Sequence, residues 1–264
     1  VVEFCNEFLK NNNGTSRIHN IMAISHNALN ENDEAIFHFN KAHKLDINNI
    51  EIIDNLGTIY RVQKDFKKAL ECYNLALSKD PNNINIILNM SSALEKLNLI
   101  DEAEENYKKI LNNYPYHRDA YIRLIFLYNE CKEYSKAIDV SKSYLKLEPN
   151  DLDFVNFLGY FYQKTGKSNL AVDLYMTLIE NGEKNFAIHI NLGTCYLDLG
   201  YLDLAADQFR KALRLDDKVS KGWLNLGTIE LRKGKIDQSI ACFNKGLSLD
   251  PDEFQLTNNL GIAF

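Results

Sequence analysis

The chain has 264 residues, 45% hydrophobic and 25% charged, enough apolar side chain to bury a core, so a disordered chain is excluded. With 30 basic against 36 acidic residues the net charge is −6, which gives no field to collect a nucleic acid backbone. No stretch approaches the run of about 18 apolar residues that a bilayer demands, so no direct membrane insertion is predicted.

Self-similarity dominates the sequence. Small residues recur every 34 positions, as Ala35, Ala69, Ala103, Ala137, Ala171, Ala205 and Ser239, with Val1 in phase. In the same period run Met22, Leu56, Met90, Leu124, Leu158, Leu192, Leu226 and Leu260, each followed by a tiny residue except at Ile125. An aromatic series (Phe39, Tyr73, Tyr107, Tyr175, Phe209, Phe243) is interrupted by Ser141, and all four prolines (Pro81, Pro115, Pro149, Pro251) share one phase.

In chain order, residues 1–15 are predicted to be the second helix of an incomplete unit. Seven full units follow at 16–49, 50–83, 84–117, 118–151, 152–185, 186–219 and 220–253, and 254–264 begin another. The unit at 50–83 shows the pattern. Ile52, Ile53, Leu56, Ile59 and Tyr60 form one helical stripe, Gln63-Lys64-Asp65 a polar turn, and Phe66, Leu70, Tyr73 and Leu77 a second stripe that runs toward Pro81. The residue after Leu56 is small because two helices cross closely there, with Ala69 and its equivalents answering from the second helix. The aromatic slot is expected to fill the space between successive units. One helix pair cannot hide its apolar face alone, so the pairs must stack.

These residues resemble the tetratricopeptide repeat. In the unit at 220–253, Trp223, Leu226, Gly227, Phe243 and Pro251 match the family's tryptophan, leucine-glycine, aromatic and proline slots, while Glu230 and Ser239 depart from its usual Tyr and Ala. The resemblance covers the whole chain as one array and implies an all-α, right-handed superhelical solenoid of antiparallel helix pairs with a concave binding surface lined by first helices. Neither end shows the polar capping helix of such arrays, so the sequence is expected to be a fragment of a longer protein, and self-association through the uncapped ends is a further expectation.

The slot before the Leu/Met series reads Ile21, Asn55, Asn89, Arg123, Phe157, Asn191, Asn225, Asn259. A recurring amide presents donors and an acceptor suited to the backbone of an extended peptide. Where Asn191-Leu192-Gly193, Asn225-Leu226-Gly227 and Asn259-Leu260-Gly261 recur, the pattern resembles the asparagine ladder of protein O-GlcNAc transferase. Arg123, Phe126, Phe157 and Tyr160 interrupt it with the composition of an interaction hot spot. Glu51, Asp54, Asp119 and Asp153, with Arg61, are expected on the same side and favour a basic or mixed-charge segment. Asp54 and Asp119 stand where the family's carboxylate clamp needs lysines, so only Asn89 and Arg123 would suit it.

No catalytic residue, cofactor or metal is expected. Gly166-Lys167-Ser168 lacks the first glycine of a phosphate loop, since position 161 is Phe161, and a helix-ending turn explains it. His26, His38 and His43 lack a spacing that sets two ligands on one face, and His26 takes the slot of Tyr60, Tyr128 and Tyr196 as a packing residue. The five cysteines form no C-x-x-C pair, which fits a reducing compartment and a cytoplasmic location. The expected function is a non-catalytic scaffold that binds a protein or peptide segment. The alternative is the substrate-recognition arm of a larger glycosyltransferase or sulfotransferase whose catalytic domain lies outside these residues.

Overall fold

A computed structural model describes residues 14–264, and most of the partial unit expected at 1–15, Cys5 included, lies outside the described residues. The described residues form fifteen α-helices and no strand: α1 (Ser16–Ala28), α2 (Asn32–Leu45), α3 (Ile50–Val62), α4 (Phe66–Lys79), α5 (Ile84–Lys96), α6 (Ile100–Asn113), α7 (Arg118–Glu130), α8 (Tyr134–Leu147), α9 (Leu152–Lys164), α10 (Ser168–Glu180), α11 (Phe186–Asp198), α12 (Leu202–Leu215), α13 (Ser220–Arg232), α14 (Ile236–Leu249) and α15 (Phe254–Ala263). The odd-numbered helices start at one constant interval, the period of the sequence, and the even-numbered ones keep the same interval. The fold is an all-α helical repeat. The described residues divide into two compact bodies, one up to Leu127 and one from Tyr128 on.

Local chemistry sets the helix boundaries. The residue before each odd helix tends to be a capping residue: the side chains of Thr15, Asn49, Asn83, Asp151, Asn185 and Glu253 each accept from a backbone N–H of the first turn, which satisfies a donor the helix leaves open. Val219 has no such oxygen and gives no side-chain cap. At the other end of the odd helices the chain passes through the left-handed region at Asn30, Lys64, Asn98, Lys132, Gly166, Gly200 and Gly234, once in every unit and always in the same phase. Asp80, Asp250 and their equivalents then end the even helices just before the prolines.

Packing repeats with the same period. In the first body α1 packs on α2, α3 on α4 and α5 on α6, while α2 meets α3 and α4 meets α5. In the second, α9 packs on α10, α11 on α12 and α13 on α14, with the same link from each pair to the next. The small series is wholly buried at Ala35, Ala69, Ala103, Ala137, Ala171, Ala205 and Ser239. The aromatic slot has two neighbours. Its ring covers the glycine of its own pair, a β-carbon on Gly159 standing 2.8 Å from Tyr175 and one on Gly227 2.6 Å from Phe243. It also reaches forward, since Tyr73 shares a core with Ile86 and Ala93 of the next pair. Ile125 and Ser141, the exceptions to the tiny and aromatic series, are both fully buried.

Candidate functional site

Because the backbone repeats with the period of the sequence, the ladder slot occupies one register on successive odd helices. Those helices touch directly within each body: α3 with α5, α9 with α11, and α13 with α15. Asn55, Asn89, Asn191, Asn225 and Asn259 are all half-buried, neither core nor fully solvated. The Asn89 amide donates to Asp54 Oδ1 at 3.2 Å, joining α5 to α3. Burial raises the Asp54 carboxyl above its ordinary range, and the Asn89 bond and Arg61 draw it partly back. Asn259 donates to Thr228 Oγ1 at 3.2 Å, joining α15 to α13. The Asn225 amide nitrogen is buried without a hydrogen-bond partner.

Tyrosines of the aromatic slot send their hydroxyls to side chains of the odd helices. Tyr73 meets Thr58 Oγ1 at 3.4 Å, and Tyr107 donates to Glu95 at 2.5 Å. Burial pushes the Tyr107 hydroxyl up, as does Glu95, while Arg123 draws it down. Burial also raises Tyr175, whose hydroxyl has no partner of good geometry although the Asn191 amide lies close enough to draw its pKa down. Each of these tyrosines precedes the ladder slot of the next unit by one fixed offset (Tyr107 and Arg123, Tyr175 and Asn191), visible in the sequence but not read from it.

The hot-spot residues divide between the bodies. In the first, Arg123 is exposed and Phe126 is 51% exposed. In the second, Phe157 and Tyr160 are half-buried, Phe157 edge-on to Phe154 at 5.7 Å and Tyr160 edge-on to Phe161 at 5.2 Å, with the Lys164 ammonium over the Tyr160 ring. Two grooves open between consecutive odd helices of the second body. One, of about 240 Å³, is lined by Asp151, Leu152, Asp153, Asn156, Glu183, Asn185 and Ile188. The other, of about 260 Å³, is lined by Ser220, Lys221, Leu224, Asn225, Glu253 and Gln255. The first is acidic, and the Asn156 amide oxygen there is buried without a partner.

Gly166 has φ 74 and closes the turn between α9 and α10, as the helix-ending reading required. Burial pushes the Cys72 and Cys242 thiols up to about 11 and Cys195 up to about 12, so none is a thiolate at neutral pH. His26 packs as expected, its ring stacked 5.5 Å from His38. Among the described residues no three His, Cys, Asp or Glu side chains assemble as metal ligands, and no helix is long and apolar enough to cross a membrane.

Models of the tetratricopeptide repeat match residues 55–83, 84–117, 186–219 and 220–253. Among solved structures, a tetratricopeptide repeat protein from Parabacteroides merdae is 19% identical with a TM-score of 0.67, over 94% of this chain and 98% of its own. The C-terminal part of a repeat-containing protein from Cytophaga hutchinsonii is 15% identical with a TM-score of 0.75, over 93% and 99%. YrrB, described as a TPR protein with an unusual peptide-binding site, is 21% identical with a TM-score of 0.55, over 72% and 97%. At these identities the likeness is one of fold. No curated protein sequence matches the chain.

Proposed function

The chain belongs to the tetratricopeptide repeat family, and from that premise we propose that it is an interaction scaffold whose odd-helix face holds an extended segment of a partner protein. The observation that carries this reading is the amide at one register of successive odd helices, half-buried at Asn55, Asn89, Asn191, Asn225 and Asn259. Amides at a fixed interval suit a main chain, whose N–H and C=O groups also recur regularly and are the same in every sequence. Asn89 and Asn259 spend a donor on Asp54 and Thr228, so their oxygens are the atoms with which to accept a partner's N–H. Asn225 keeps a donor without a partner.

Side-chain discrimination then falls to the interruptions. Phe157 and Tyr160 in the second body, and Arg123 and Phe126 in the first, offer aromatic area and a guanidinium at slots that most other units fill with Asn, Thr or Ser. Asp151, Asp153 and Glu183 around one groove favour a basic or mixed-charge segment. The peptide-binding site named for YrrB, a protein of this fold, supports the same class of ligand.

The test is to select a displayed random peptide library on the wild-type chain and to measure the enriched peptides by fluorescence anisotropy. Replacing Asn191, Asn225 and Asn259 together by Ala should weaken them all by about tenfold or more, since each lost backbone hydrogen bond contributes about 1 kcal/mol. Peptides that bind the triple variant as tightly as the wild type, or a library that enriches nothing, overturn the reading.

A further inference from the structure

The α1–α2 hairpin carries three stacked imidazoles. His19 and His38 are both 7% exposed, and their Nδ1 atoms face each other at 2.9 Å. Their ring centroids are 5.2 Å apart, and His26 also stacks on His38, at 5.5 Å with an interplanar angle of 3°. The same two slots recur five units later as His189 and Gln208, where Nδ1 meets Oε1 at 2.8 Å.

These two pairs respond differently to protons. An amide oxygen accepts and nothing else, so His189 can donate from Nδ1 whether its ring is neutral or cationic. Between two Nδ1 atoms only one proton fits. One ring donates and the other must offer a lone pair, so the pair tolerates one positive charge, while a second proton removes the acceptor and sets two N–H groups and two cations against each other. We propose that the α1–α2 hairpin is a pH-sensitive element, held closed at neutral pH by the His19–His38 bond and opened when both rings are protonated.

The surroundings push the same way. Burial, then Lys41, lowers His19, and burial, then His19, His26 and Lys41, lowers His38 to about 4. Lys41 stands on α2 itself and both other imidazoles come from α1, whereas among the described residues no charged group of α3, which packs on α2, acts on either ring. The nearby anion, Glu31, is bonded to His26 Nδ1 at 2.6 Å and to neither ring of the His19–His38 pair. A histidine held below its unfolded value stabilises the fold above about pH 6.5 and loses that contribution as pH falls toward about 4.

Peptide-resolved amide exchange on the whole chain, corrected for intrinsic rates, tests this at about pH 7.5 and about pH 5. Protection across α1 and α2 should fall about tenfold at the lower pH, while α11 and α12 change by less than about twofold. His38→Gln, which copies the Gln208 arrangement, should keep the protection seen at neutral pH and lose the pH dependence. Unchanged wild-type protection at the lower pH, or an equal fall in the variant, overturns the proposal. Should His38→Gln fold poorly, imidazole proton resonances of the wild type decide: one ring of the pair titrating only below about pH 5 supports the device, and both titrating near about 6.5 overturn it.

Discussion

The ring of Tyr73 occupies the space that a β-carbon on Gly57 would need, with Cε1 2.7 Å and the Cys72 Cβ 3.1 Å from that position. Phe209 does the same to Gly193, at 2.8 Å. Gly57→Ala should therefore destabilise the chain by about 1–2 kcal/mol, because overpacking of about 1–3 kcal/mol exceeds the gain of about 0.5–1 kcal/mol for Ala over Gly in a helix. Gly261 has the same phase but nothing within 4 Å of its β-carbon position, so Gly261→Ala should instead stabilise by up to about 1 kcal/mol. Urea unfolding of both variants checks the contrast, and shifts of one sign would show that the ring does not govern the slot.

That pair also shows how much was legible. A tiny residue following each leucine is plain in the sequence because volume at a crossing is constrained in every unit, and the helix pairs follow from the apolar stripes. The ring over the glycine was missed, since periodicity says which positions repeat but not which of them touch. The capping residues Asn49, Asn83, Asp151 and Asn185 stood in phase, yet Asn is so common in this chain that the series did not stand out. At the candidate site the Asn slots could be read from one period. The bonds of Asn89 to Asp54 and Asn259 to Thr228 could not, because each joins two units and depends on which polar residue the neighbour happens to carry.

Lys64 sits at φ 64 in a turn where Gly200 has φ 82. A side chain in the left-handed region costs about 1–2 kcal/mol, against at most about 1 kcal/mol of extra backbone entropy for Gly. Lys64 is exposed and its replacement removes no core contact. Lys64→Gly should raise stability by about 0.5–1 kcal/mol, Lys132→Gly at φ 59 should do likewise, and Gly200→Ala should lower it. Thermal midpoints by circular dichroism give the comparison, and a loss on Lys64→Gly would contradict the argument.

Burial, aided by the neighbouring carboxylates Glu71, Asp198 and Glu230, should silence the thiols of Cys72, Cys195 and Cys242. With values pushed up to about 11, 12 and 11, the nucleophilic thiolate is scarce at about pH 8. Iodoacetamide should leave all three unmodified in the native chain over times that fully alkylate a free cysteine, and should label them in urea. Mass spectrometry of tryptic peptides reads the outcome, and native labelling at the rate of free cysteine would refute it.

Glu230 fills a slot taken by Tyr60, Tyr128, Tyr162 and Tyr196, and is only 2% exposed. Arg210 holds it at 2.5 Å across the α12 to α13 contact, with Lys235 farther away at 3.6 Å. A carboxylate out of water is tolerated only while a partner and its hydrogen bonds remain, so removing one partner costs more than replacing the ion by an apolar group. Arg210 is itself about half exposed, which lowers the cost below that of a wholly buried pair. Arg210→Ala should therefore destabilise by about 2 kcal/mol, whereas Glu230→Tyr, which restores the residue of the other units and leaves Arg210 able to reach solvent, should be within about 1 kcal/mol of the wild type. The decisive comparison is the double variant. If the pair is a liability inherited with Glu230, Arg210→Ala added to Glu230→Tyr should cost almost nothing, and a loss there of about 2 kcal/mol, as in the single variant, would mean that Arg210 stabilises the α12–α13 contact through its aliphatic stem.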